Sequence, residues 1–116
     1  MRKTAIASAL TLALTSLAAH AHHGWGSYDA SGAFTIEAPV ESLLWENPHG
    51  ELTLMHDGEA WHITLAPLSR LQVRGLSPAA LQPGTMVAAH GHPSRNTPNE
   101  MRAERIIVGG ETFEMR

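Results

Sequence analysis

Cysteine is absent from the 116 residues. That excludes disulfides and every thiolate metal site, so a metal held by this chain would need His, Asp, Glu, Met or backbone ligands. Lysine occurs only at Lys3. Beyond residue 21 the cations are six arginines, Arg70, Arg74, Arg95, Arg102, Arg105 and Arg116, against 11 acidic residues. The resulting formal charge of −5 over residues 22–116 argues against nucleic acid, whose binding rests on neutralising phosphates. Also lacking are Gly-x-Ser-x-Gly, His-Glu-x-x-His, a phosphate loop and carboxylates at paired acid/base spacing. After residue 21 no stretch is apolar enough to span a membrane.

What the chain does have begins at its N-terminus. Met1-Arg2-Lys3 is a short basic segment, residues 5–18 are uncharged and rich in Ala and Leu, and Ala19-His20-Ala21 is a small-x-small cleavage signal. The apolar stretch falls short of the ~20 residues a membrane span needs, so it reads as a secretory signal peptide cleaved after Ala21. Residues 1–21 are then a signal peptide, residues 22–33 an N-terminal arm and residues 34–116 a single domain. Export to the periplasm is the expected location. The arm is rich in Gly and Ser, and Trp25 and Tyr28 are its only large side chains. They are expected to anchor it.

From residue 34 onward the pattern is that of strands. Apolar Phe34, Ile36, Val40 and Leu44 alternate with Thr35, Glu37 and Glu41, which predicts a strand over 34–45 with Pro39 at an edge or a bulge. Asn47-Pro48-His49-Gly50 predicts a turn. Strands over 51–56 and 59–66 flank Asp57-Gly58, a hairpin signal, with Trp61, Ile63 and Leu65 on one face and His62 and Thr64 on the other. Leu68, Leu71 and Leu76 among polar residues predict a helical turn or two ending at Gly75. Ser77-Pro78 predicts the start of a second short helix over 77–81. Strands over 85–92 and 100–108 follow, and Gly109-Gly110 leads into a last short strand. Arg102 and Arg105 alternating with Glu104 read as a solvated, charge-balanced face. Strand–strand–strand–helix–strand–strand in about 95 residues is the order of an all-β, OB-like five-stranded barrel with a short helix between strands 3 and 4.

These residues also resemble a known family. His22-His23-Gly24-Trp25, Trp45-Glu46-Asn47-Pro48-His49, Trp61 to Pro67, Arg74-Gly75-Leu76, Pro83-Gly84-Thr85 and Gly91-His92-Pro93 occur in the order found in a family of small exported bacterial proteins of unknown function. A post-signal His-His pair and a central Asn-Pro-His mark that family. The resemblance implies export and a small β-rich domain, and directs attention to His22, His23 and His49.

Seven histidines remain after residue 21. Cleavage after Ala21 would leave His22 with a free α-amine and an imidazole that can close one chelate ring; amines and neutral imidazoles bind copper and its neighbours. His49, held between Pro48 and Gly50, is the first choice for a third nitrogen, and His23 the second. His90 and His92 share one strand face with Met86 and form a second, weaker candidate metal site. His56 and His62 flank the hairpin turn. The plainer alternative for each is a solvated side chain.

Three functions compete on this basis. The first is a small binding protein for a transition metal, copper, through His22, His23 and His49. The second is a metal-free OB-like module whose partner is another envelope protein or a small envelope ligand. The third is a copper-dependent oxidase, for which no second catalytic group is visible.

Overall fold

A computed structural model describes residues 24–116 of the chain. The expected signal peptide, its cleavage site, His22 and His23 lie outside the described residues. Among those described are six strands, β1 (Phe34–Leu44), β2 (Glu51–His56), β3 (Glu59–Thr64), β4 (Met86–Pro93), β5 (Glu100–Val108) and β6 (Glu111–Glu114), and one α-helix, α1 (Leu68–Val73). Short 3-10 turns occupy Trp25–Ser27, Ala30–Gly32 and Pro78–Leu81. None of the described helices is long and apolar enough to cross a membrane.

The sheet runs β3-β2-β1-β4-β5-β6, and a parallel pairing of β3 with β5 closes the first five strands into a barrel. This is the OB-like order, with α1 between β3 and β4. One strand serves both halves of the barrel. Residues 34–39 of β1 pair with β4, and residues 40–44 pair with β2. Pro39, which has no N–H to give a ladder, stands at the handover, next to a bulge between Val40 and Ser42. The bulge adds one residue and so reverses the parity of the strand residues beyond it. Leu44, expected on the core face, is 45% exposed, while Leu43 packs against the core instead.

The turns obey the chemistry of their residues. Asp57 and Gly58 have φ of 49° and 79°, and Gly109 and Gly110 have 58° and 78°, the left-handed pairs that tight hairpins need. Gly75, at φ 85°, ends α1 in a Schellman motif: its N–H donates to Gln72 and that of Leu76 donates to the Leu71 carbonyl. Leu71 and Leu76 are both buried there, and Leu71 plugs one end of the barrel over Gly50. Ile36, Leu52, Leu54, Ile63, Met101 and Ile106 fill the interior.

Candidate functional site

Three chain segments meet at one end of the barrel. The first is the β1–β2 loop, where the Asn47–Pro48 peptide is cis. Gly50 donates to Ala66 and accepts from Leu65 at 2.8 Å, and a Cβ on it would meet Leu71 and Leu65 at 3.2 and 3.4 Å. His49 is therefore carried on a turn packed against the helix. The second is the β4–β5 loop. Ser94 Oγ accepts from the N–H groups of Asn96 and Thr97, and Ser94 N–H donates to Glu100 at 2.8 Å. The third is the N-terminal arm.

The arm is docked along the β4–β5 loop. Asp29 N–H donates to Pro93 at 2.8 Å, Arg95 N–H donates to Ser27 at 2.9 Å, and Tyr28 forms a bridge with Ser94. Asp29 caps the next turn by accepting from Ser31, and those bonds hold its carboxyl below the usual carboxylate range. Both aromatic anchors expected from the sequence are engaged. Tyr28 is buried. Trp25 lies between two guanidinium groups, with Arg102 4.5 Å and Arg116 4.0 Å from its ring centre, and it meets the His92 ring edge-on at 5.0 Å. Arg70 and Arg74, in α1 and at its end, donate to the main-chain oxygens of Met115 and Arg116 beside this contact.

Between the three segments is a cleft of two lobes that share Tyr28, His49 and Thr64. The larger lobe, about 300 Å³, is polar and adds Glu51 and Glu100 along with hydroxyl and amide groups from the arm and the β4–β5 loop. The smaller, about 170 Å³, adds Pro48, Leu65, Pro67 and Arg102. His49 turns Nδ1 inward, 3.8 Å from Glu51 Oε1, and that atom is buried. With Nδ1 withdrawn in this way, a ligand would have to approach His49 through Nε2. The Tyr28 phenol lies 3.4 Å from Glu100 Oε1 and bonds to Thr64. Burial, and then the Glu100 carboxylate, raise its pKa above 10.0, with Thr64 and Arg102 acting in the opposite direction. Burial also lowers the pKa of Arg102.

The remaining histidines are dispersed. His90 and His92 do share a face of β4, yet His90 Nδ1 is 2.9 Å from Thr35 Oγ1, while His92 Nε2 is 3.0 Å from Glu104 Oε1 beneath Trp25. His56 stands opposite Glu59 and packs on Phe34 and Trp61, whereas His62 stands opposite Thr53, so the two do not face each other. Among the described residues no group of three or more His, Asp or Glu is gathered to hold a metal.

Two expectations for the strand faces need correction. The alternation at residues 102–105 is not a solvated face. Glu104 is enclosed by His92 and Arg116, and Arg116 holds its carboxyl below the usual range; Arg102 lies under Trp25. Burial of Thr64, expected on the outer side of β3, comes from Tyr28 covering it. Tyr28, Glu100 and Arg102 had no motif to mark them as cleft residues. The signal available was the barrel closure, which sets Thr64 beside Arg102 and His62 beside Glu100.

The model of a family of unknown function, DUF6152, matches residues 9–101. No curated protein matches the chain.

Proposed function

The chain belongs to that family of unknown function, DUF6152, and from its own residues we propose that it is a small exported binding protein for a transition-metal ion, copper, held by His22, His23 and His49. One observation carries this reading. Ser27 and Tyr28 of the docked arm and His49 of the β1–β2 loop line the same cleft. Trp25 is latched beside it, on Arg102. Three residues of chain separate Trp25 from His22, a span of at most about 10 Å, which is the reach the reading requires of the arm.

The chemistry of the donor set supports copper. Without cysteine, the ligands are nitrogens: the α-amine and imidazole of His22 after cleavage at Ala21, and Nε2 of His49, with His23 next in the chain. Imidazole suits Zn, Cu, Ni and Fe, and Cu(II) heads the affinity order of divalent metals. A nearby carboxylate fixes the orientation and raises the basicity of a ligating imidazole. Glu51 Oε1, 3.8 Å from His49 Nδ1, is the carboxylate that would take that part on closing to hydrogen-bond distance. The role is delivery, storage or buffering in the periplasm.

The test uses protein recovered from its export compartment, whose intact mass is expected to begin at His22. Copper titration of this protein and of H49A is expected to show affinity at least tenfold lower for the variant. Equal affinity for the two would remove His49 from the site.

A further inference from the structure

The N-terminal arm and the segment that follows β6 meet at β5. Met115 is buried, its N–H donates to the Glu104 carbonyl at 2.8 Å, and its own carbonyl accepts from Arg70 at 3.2 Å. The Arg116 side chain next to it has two partners at once. Its guanidinium donates to both carboxylate oxygens of Glu104, from Nε at 3.1 Å and also from a terminal nitrogen, and its Cζ stands 4.0 Å from the Trp25 ring centre. The second cation on that ring, Arg102, belongs to β5 itself. Two guanidinium groups sharing one indole repel each other. The Glu104 carboxylate, which also lies 3.0 Å from His92 Nε2, is the counter-charge that allows the arrangement. What Trp25 holds in place is a wall of the cleft. Ser27 and Tyr28 line the polar lobe, Ser27 accepts from Arg95 N–H at 2.9 Å, and Asp29 N–H donates to Pro93 at 2.8 Å.

We infer that Glu104 and Arg116 form a clasp that docks the N-terminal arm and residues 115–116 as one unit, and that this clasp sets whether the cleft is closed on its arm side. Each partner supports the other. Without Arg116, Trp25 loses one of its two guanidinium contacts. Without Trp25, the half-exposed Arg116 side chain keeps only its ion pair with Glu104, a weak constraint on a long side chain. The coupling is reciprocal by thermodynamic linkage. Whatever draws Arg116 from Glu104 loosens the wall made by Ser27 and Tyr28, and whatever binds across that wall and the cleft tightens residues 115–116. The inference goes beyond the metal reading and holds for any ligand of the cleft.

The experiment is amide hydrogen exchange of the full processed protein, kept metal-free with a chelator so that its outcome is separate from that of the copper titrations. In R116Q the amides of Asp29 and Arg95 are expected to exchange about two- to fivefold faster, the range of one exposed cation–π contact. R116K keeps the charge and is expected to restore most of the protection. In W25A the Met115 amide is expected to exchange faster by a similar factor. In W25A/R116Q the Arg95 amide is expected to exchange as in W25A alone, because one contact has been removed from both sides. Unchanged Asp29 and Arg95 in R116Q, unchanged Met115 in W25A, or additive effects in the double variant would overturn the inference. So would equal acceleration of the barrel amides of Ile36 and Ile106, the mark of a general loss of stability.

Discussion

Tyr28 is the only tyrosine in the chain, so a phenol titration followed by ultraviolet absorbance reads it alone. Its burial and the neighbouring Glu100 carboxylate both disfavour the phenolate. The midpoint in the native protein is therefore expected above 10.0, with an ordinary value in denaturant. The sign for stability comes from linkage. A folded-state pKa raised above the unfolded one contributes stability in full below the unfolded value, and that contribution is lost as pH rises from 10 through the folded value. Y28F is expected to lose less stability than the unaltered protein over that alkaline range, as measured by denaturant unfolding at successive pH values. Gly91 makes a second, purely steric prediction. It faces the barrel interior where β4 crosses β5, and a Cβ there would run into the carbonyl of Arg102 and the side chain of Met101. Overpacking of this kind costs about 1–3 kcal/mol, so G91A is expected to unfold at lower denaturant than the unaltered protein with little change in slope. Nothing in the local sequence around Gly91 announces this. The crowding comes from the crossing strand, which only the closed barrel supplies.

Elements were legible where their cause is local. Asp57-Gly58 and Gly109-Gly110 name their turns because few other residues tolerate left-handed backbone, and β2 and β5 have the predicted bounds. Pro39 marks the corner of β1 because a missing N–H is tolerated only there. Leu44 shows where local reading ends: one bulge reverses the parity, and the strand pattern alone does not reveal the bulge. The arm is the other such case. Its anchors were evident as isolated aromatics, but their partners, His92, Ser94, Glu100, Arg102 and Arg116, lie 66 to 91 positions later in the chain. Each exposed cation–π contact contributes about 0.5–1 kcal/mol, a small amount against the barrel core but a large one for an arm as short as residues 22–33. W25A is accordingly expected to leave the barrel melting within a few degrees of the original while making the arm a site of early proteolytic cleavage. Copper affinity is expected to fall in parallel, because the same latch holds the chain near His49. Mass spectrometry of limited digests reads the first effect and metal titration the second.

At the scale of the whole molecule, the strand–helix order was sufficient for the barrel, since few architectures close five short strands with one helix after the third. The cleft was not legible in the same way. Asn47-Pro48-His49 pointed to one wall of it, while the other walls come from the arm and from the start of β5, brought together by the β3–β5 closure. The molecule thus gathers its N-terminal arm and its central histidine at one end of the barrel, with the segment that carries His22 and His23 attached to that arm. Copper titration of two preparations puts this arrangement to its most direct test: protein beginning at His22, and protein with one extra residue before it. The proposed chelate of the His22 amine and imidazole predicts affinity at least tenfold lower for the extended protein, and equal affinity for the two would contradict it.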